Sequence, residues 1–453
     1  MTKRKYFGTD GIRGKANEFP LIPELVTRIG MAVGAKFKHG GEKHRVVIGK
    51  DTRLSGYMIE NALTAGFLSV GIDVFLIGPV PTPGVAMLTK TLRADIGVMI
   101  SASHNPYYDN GIKLFDSEGR KLPDEVEKEI EELIDSTKLT QYLADSNDLG
   151  RARRLDNFQG RYIEFVKQVF PKEHNLNGLK IVLDCSNGAA YDIAPIVLWE
   201  LGAEVITIGV EPNGFNINDG CGSMHPEKLA AKVLEEKADI GIALDGDADR
   251  LIIIDEKGNT VNGDKIIALI AKKMQENLEL KGYGVVATMM SNLGLEKYLE
   301  SINLHLKRTK VGDRYVIEEM RNGGYNLGGE SSGHIIMGDY STTGDGLLSA
   351  LQVLTTLVKE RKTKKIPVSK LVDLFNMIPQ VLKNVKYNKS KGNPLENENV
   401  KRKINEKEKE LGKNGRIFIR PSGTEPLIRI MVEGTSKAQI EKIVDDIAEE
   451  LIK

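Results

Sequence analysis

Five groups of residues in this chain have types and spacings that could do chemistry. The first is Ser101-Ala102-Ser103-His104-Asn105-Pro106. It follows an apolar run, Ile96 to Ile100, that reads as a buried strand, and Asn-Pro must end that strand and turn the chain. Ser103 is then held at the carboxyl end of a strand, where open α/β sheets place their ligands, and it is the candidate nucleophile. A lone Ser in a loop is more often a turn cap, so its company decides. The second group is Asp245-Gly246-Asp247-Ala248-Asp249-Arg250. Three carboxylates at alternate positions after an apolar strand converge on one side. Their repulsion calls for a cation, and all-oxygen ligation favours a hard ion, Mg2+ above all. A helix–loop–helix Ca2+ loop would use Asp245, Asp247, Asp249 and Glu256. Against that loop, Arg250 stands where Gly is needed and Leu251-Ile252-Ile253-Ile254 reads as a strand.

The third group is Gly328-Gly329-Glu330-Ser331-Ser332-Gly333-His334. Small residues let a ligand approach the backbone, and Glu330 and Ser332 suit the hydroxyls of a sugar. Standing alone it would read equally well as a polar hairpin turn. The fourth is Arg420-Pro421-Ser422-Gly423-Thr424-Glu425-Pro426, with Arg429 beyond. Hydroxyls, exposed N–H groups and guanidiniums make a nest for an anion, phosphate first. It is not a P-loop, because the Lys-Ser/Thr pair and the following helix are missing. The fifth is the Gly-rich loop Phe7 to Gly14, which carries Arg13. A further loop, Gly49 to Gly56, is a strand-to-helix turn, and structural turn duty is its expected role.

The elements that must hold these groups alternate between strand and helix. Helical periodicity covers 24–38 and 57–70, and strands are expected at Arg45–Lys50, Asp73–Ile77 and Asp95–Ser101. This is βαβ material with mostly parallel sheets. Ala94-Asp95-Ile96-Gly97 and Ala238-Asp239-Ile240-Gly241 open similar runs, a weak internal repeat in which each unit presents polar residues at a strand end. After about 370 the order changes to an α+β module. The expected units are 1–155, 156–256, 257–368 and 369–453. A chain of 453 residues is too long for a single core. Its 63 basic and 63 acidic residues cancel, which argues against a general nucleic-acid or membrane-surface binder. Cys185 and Cys221 have no metal spacing and build no disulfide framework, and no apolar signal core or transmembrane run occurs. The cytoplasm is the expected compartment.

Taken together and in this order, the five groups resemble the motifs of the α-D-phosphohexomutase superfamily over nearly the whole chain. The chain departs at Ser331, where many relatives carry Gln. The resemblance implies three related α/β mixed-sheet domains and a C-terminal α+β domain around a central cleft. It implies one Mg2+ per chain, held by Asp245, Asp247, Asp249 and a phosphorylated Ser103. Details such as Phe7 to Gly14, the Ala in Asp-Gly-Asp-Ala-Asp-Arg and Ser291-Asn292-Leu293-Gly294-Leu295 point to glucosamine as the sugar. The implied reaction moves phosphate between its 6- and 1-hydroxyls through a bound 1,6-bisphosphate, with glucosamine or glucose 1,6-bisphosphate as primer. Glucose or mannose phosphates are the alternative substrates, and a non-catalytic metal and sugar-phosphate binder is the alternative of another class. A serine hydrolase is disfavoured, since no Gly-x-Ser-x-Gly elbow surrounds Ser103. A phosphoserine beside three aspartates concentrates negative charge that one Mg2+ only partly cancels. Arg13, Lys113 and Arg250 are the cations expected there. Lys113 is the nominated general base, with His334 and Arg13 as helpers and His104 orienting the loop or touching phosphate. An exposed strand lysine is the plain alternative for Lys113. Arg420, Ser422, Gly423, Thr424 and Arg429 are expected to hold the distal phosphate. Expected partners are a sugar phosphate and a second copy of the chain in a homodimer, with no nucleic acid and no membrane.

Overall fold

The computed structural model describes residues 4–40, 43–156, 158–363, 366–387, 392–421 and 427–452. Seven strands form the first sheet: β1 (Phe7–Gly8), β2 (Gly11–Lys15), β3 (Arg45–Lys50), β4 (Asp73–Pro79), β5 (Ile96–Ile100), β6 (Asp109–Phe115) and β7 (Ala152–Arg154). Their order is β1-β2-β6-β5-β3-β4-β7. The centre, β5-β3-β4, is parallel, while β6 runs antiparallel to β5 with Met99 opposite Lys113. Period-two alternation explains the layering. Val46, Ile48, Ile96, Val98 and Ile100 enter one apolar cluster with the helices Pro23–Phe37 and Ser55–Ser69. Val47 and Met99 face the other way, toward Val85 and Leu88 of the helix Thr82–Thr91. With both faces covered, β5 is a continuous apolar run. β7, at the end of the first unit, adds to the edge of the sheet in parallel beside β4.

The second sheet holds β8 (Lys180–Asp184), β9 (Glu204–Ile208), β10 (Ile240–Leu244), β11 (Leu251–Ile254) and β12 (Thr260–Val261), in the order β12-β11-β10-β8-β9. The repeat seen in sequence has a physical counterpart here. Asp95 accepts from the Arg45 N–H at 2.7 Å at the start of β3, and Asp239 accepts from the Lys180 N–H at 2.9 Å at the start of β8. Each repeat Asp thus pins the neighbouring parallel strand. Because β11 returns antiparallel to β10, the three aspartates lie on a strand-to-strand turn, which rules out the Ca2+ helix–loop–helix. Glu256 is engaged elsewhere, accepting from the Ser369 hydroxyl and N–H.

The third sheet holds β13 (Gly284–Thr288), β14 (His305–Thr309), β15 (Leu327–Gly329) and β16 (Ile335–Met337), in the order β14-β13-β15-β16. The helix Gly346–Thr363 packs into an apolar cluster that also takes residues from β8, β10 and β13, so the second and third sheets share one core. The fourth sheet, β17 (Gln380–Lys386), β18 (Gly415–Pro421) and β19 (Leu427–Gly434), is antiparallel with β19 central and has its own core under the helix Lys437–Ile452. Three mixed α/β sheets and a C-terminal α+β unit are the architecture the motifs imply. No helix of the described residues is long and apolar enough to cross a membrane.

Candidate active site

The site begins where β5 ends. Ser103 is 1% exposed and holds a left-handed backbone, φ 54°, that L side chains rarely adopt. Its N–H donates to Ser101 Oγ at 2.9 Å, and that hydroxyl donates to Asp51 Oδ2 at 2.7 Å. Its own Oγ donates to Asp245 Oδ2 at 2.6 Å and lies 3.3 Å from His104 Nδ1. Burial first, then Arg250 and Arg13, push the His104 imidazole down to about 4. The end of β10 supplies the other half. Asp245, Asp247 and Asp249 are all buried, and each offers an oxygen within 4.8 Å of the others. Gly246 permits the approach, because a Cβ there would lie 2.5 Å from the Ser103 carbonyl oxygen. Asp247 is oriented by the first sheet's own unit: Thr82 donates its N–H to the Asp247 carbonyl at 2.9 Å and its hydroxyl to Oδ2 at 2.6 Å.

These residues fit a hard cation. The donors are all carboxylate oxygens, and the buried Oδ1 atoms of Asp247 and Asp249 have no hydrogen-bond partner among the described residues. Burial, followed by Asp249 and Asp247, drives the Asp245 carboxyl up to about 8, and Arg250 and the Ser103 hydroxyl oppose this only in part.

Cations ring the carboxylates. Lys113, from β6, is buried and not an exposed strand lysine. It reaches Asp247 Oδ2 at 2.7 Å, Asp249 Oδ2 at 3.2 Å and Asp10 Oδ2 at 3.3 Å. Burial works against its charge, but Asp10, Asp247 and Asp249 outweigh that and hold its amine well above the usual lysine range. Arg13 pairs with Asp10 at 2.5 Å and approaches the Ala102 carbonyl at 3.5 Å. The Arg250 N–H donates to Asp245 Oδ1 at 3.1 Å, and its guanidinium lies 4.0 Å from Asp249. His334 sits between Asp249 and Asp313, 3.6 Å from each; burial opposes its charge, yet these carboxylates raise the ring to about 9.

A cavity of about 520 Å3 opens above this floor, lined by Thr9, Arg13, Ser103, Arg250, Glu330 and Arg420 among others. Glu330 accepts from the Gly312 N–H at 3.2 Å. Ser332 is exposed on the same turn and is not part of the lining. Arg420 also lines a second cavity of about 390 Å3 together with Arg429, its directly paired cross-strand neighbour on β19. Two guanidiniums opposite each other repel, which suits a place meant for an anion. Ser422, Gly423 and Thr424 lie outside the described residues. Sequence reasoning did not single out Asp10, Thr82, Lys121 or Asp313. Lys121 bonds to both Asp10 and Asp313 and so joins the first and third units beside the site. The Gly-rich loop could have signalled Asp10; the others carry no local signal.

A strand-end serine thus faces a buried carboxylate triplet, with Arg420 lining the same cleft, on a scaffold of three α/β units and a C-terminal α+β unit. Profiles of the phosphoglucomutase/phosphomannomutase domains match in chain order: α/β/α domain I at residues 4–141, domain II at 160–258, domain III at 262–377 and the C-terminal domain at 382–450. The chain belongs to this family. A phosphoglucosamine mutase of Sinorhizobium medicae is 59% identical over 445 residues, 98% of this chain and 97% of that one. One of Brucella anthropi is 59% identical over 444 residues, with the same coverage. The fold is shared with a phosphoglucomutase/phosphomannomutase family protein of Burkholderia thailandensis, at TM-score 0.81 and 24% identity over 98% of this chain and 96% of that one.

Proposed function

We propose that this protein interconverts glucosamine 6-phosphate and glucosamine 1-phosphate, with Ser103 as the phosphoryl carrier. The observation that supports it most is the 2.6 Å hydrogen bond from Ser103 Oγ to Asp245, inside a buried carboxylate triplet. The 59% identity to phosphoglucosamine mutases over almost the whole chain supports the choice of sugar. Asp245, Asp247, Asp249 and the Ser103 phosphate are the assigned ligands of one Mg2+, which when bound would neutralise charge on the transferring phosphoryl group.

The residues do the rest. Phosphorylated Ser103 gives its phosphoryl group to a free hydroxyl of the bound sugar phosphate; the serine P–O bond breaks and a sugar P–O bond forms. The sugar hydroxyl loses its proton and Ser103 Oγ gains one. The 1,6-bisphosphate turns around, and Ser103 takes back the other phosphate. Arg13, Lys113 and Arg250 offset the charge that develops, and His104 and His334 flank it. Lys113 is assigned the proton transfer, and since its carboxylate partners hold it charged in this structure it serves as a cation first and as a base only after giving up a proton. Glu330 and the exposed Ser332 are assigned to the sugar hydroxyls. Arg420 and Arg429, with Ser422, Gly423 and Thr424, are assigned to the distal phosphate and must accept both ends of the sugar. Placing them on a separate C-terminal unit allows hinge motion without release of the bisphosphate. Priming by glucosamine or glucose 1,6-bisphosphate, a homodimer, the cytoplasm and supply of amino sugar for UDP-N-acetylglucosamine complete the reading.

Intact-protein mass with peptide mapping tests the carrier. A partial adduct of about 80 Da is expected on Ser103 and absent in Ser103→Ala. Comparing kcat/KM on glucosamine, glucose and mannose 6-phosphates tests the sugar; a preference for mannose would overturn it.

A further inference from the structure

Arg53 lies in the strand-to-helix turn whose expected duty was structural. It is 1% exposed, and every donor of its guanidinium is used. Nε donates to Asp51 Oδ2 at 2.7 Å. Nη2 donates to the carbonyls of Ser103 and Asn105, both at 2.9 Å. Nη1 donates to the carbonyl of Pro106 and to that of Asp109 at 3.0 Å. Four of the five acceptors therefore belong to one segment, the loop that carries the nucleophile. Asp51, the fifth, accepts from the Ser101 hydroxyl, which in turn receives the Ser103 N–H. Both backbone polar groups of Ser103 thus lead back to the Asp51–Arg53 pair.

The second unit grips the same atoms. Asn218 Nδ2 donates to the Ser103 carbonyl at 2.9 Å and to the Asn105 carbonyl at 3.0 Å. Each of these carbonyls takes one donor from Arg53 and one from Asn218. The residue so gripped is the one with φ 54°, a backbone state that persists only where its surroundings over-determine it. We propose that Arg53 is a positioning residue for phosphoryl transfer, fixing the Ser103 backbone so that Oγ meets the Asp245 carboxylate, and that Asn218 is its counterpart across the interface. This rests on the reading of Ser103 as the phosphoryl carrier. A lysine keeps the charge but cannot spread a planar fork over carbonyls from residue 103 to residue 109.

The test uses full-length wild type, Arg53→Lys and Asn218→Ala with glucosamine 6-phosphate, glucose 1,6-bisphosphate and Mg2+. Misplacing a reacting group by about 1 Å costs on the order of a hundredfold. Expected is a fall in kcat of about a hundredfold for Arg53→Lys and about tenfold for Asn218→Ala, with KM within about twofold of wild type. In parallel, amide exchange across residues 101–109 rises in both variants while exchange in β5 does not. Wild-type kcat in either folded variant overturns the proposal. So does a fall in kcat matched by an equal fall in folded fraction by circular dichroism, or unchanged exchange in the loop. If Arg53→Lys does not fold, Asn218→Ala decides by the same criteria. An inactive wild type carrying no Ser103 phosphate marks failure of the carrier reading and takes this proposal with it; an active wild type with unaffected variants sinks the positioning role alone.

Discussion

Ser103 Oγ and Asp245 Oδ2 lie 2.6 Å apart although 142 positions separate them in the chain. The contact exists because two related α/β units bring their strand ends together: β5 delivers the serine and β10 delivers the aspartate. The seam is tight. Gly246 lies against the Ser103 carbonyl, Thr82 binds Asp247 through both its N–H and its hydroxyl, and Asn218 reaches back to the serine loop. Chemistry that needs both halves is thus a property of the interface between units and of neither unit alone.

Asp247→Asn should abolish the stabilisation that Mg2+ gives. Asp247 Oδ2 is occupied by Thr82 and Lys113, which leaves its buried Oδ1 for an ion. Mg2+ at a hundred times its Kd stabilises the binding state by about 2.7 kcal/mol. The wild type should therefore melt several degrees higher in Mg2+ than in EDTA, and the variant should not. Equal Mg2+-dependent gains in both proteins would remove Asp247 from the ligand set.

Lys113→Met should make the protein more dependent on Mg2+. Removing the ammonium leaves Asp10, Asp247 and Asp249 without their common cation. Breaking a buried ion pair in this way costs about 3–5 kcal/mol. The expected result is a lower Tm in EDTA and a larger Mg2+-induced rise than in wild type, since the divalent ion then carries more of the compensation. A smaller rise than in wild type would mean that Lys113 helps to build the ion site instead of competing for its carboxylates.

How far this could be read from sequence depends on whether a signal is local. The sheets were legible because β5 and β10 are unbroken apolar runs ending in polar residues. Asp245, Asp247 and Asp249 converge because they alternate on one short turn. Glu330 and Ser332 looked equivalent by adjacency, yet one lines the cavity and the other faces solvent, because a turn sends near neighbours in different directions. Arg53 looked like a turn residue because four of its five acceptors lie 50 to 56 positions away. Lys121, Asp313, Thr82 and Asn218 act across unit boundaries, which no local pattern records. The shared core of the second and third sheets was equally invisible, because it depends on where the helix Gly346–Thr363 docks.

Asp264→Asn should gain stability relative to wild type as pH rises. The Asp264 carboxyl is buried beneath Asn292, whose N–H it accepts at 2.7 Å. Burial raises it from 3.8 to about 6, only partly countered by the Asn292 N–H. A carboxyl with a folded value above its unfolded one favours the fold below about pH 4, and that contribution is lost as pH rises through about 6. A shift of about two units corresponds to about 3 kcal/mol. The difference in Tm between variant and wild type should therefore move in favour of the variant between pH 4.5 and pH 7. A pH-independent difference would show that Asp264 does not titrate on folding.

Arg420→Ala and Arg429→Ala should weaken sugar-phosphate binding in distinguishable ways. The two guanidiniums oppose each other across β18 and β19, and burial, then Arg429, lowers the Arg420 value. That unrelieved repulsion favours a shared anion, and a charged hydrogen bond lost there is worth about 1.5–3 kcal/mol, or roughly ten- to a hundredfold in KM. Arg420 lines the cleft above Ser103 as well as the outer cavity, whereas Arg429 lines only the outer one. Arg429→Ala should thus raise KM with kcat nearly unchanged, and Arg420→Ala should raise KM and lower kcat together. Added KCl should narrow both differences, because screening weakens the wild-type attraction as well. Steady-state kinetics at two ionic strengths provides the check; wild-type KM in both variants would place the distal phosphate elsewhere.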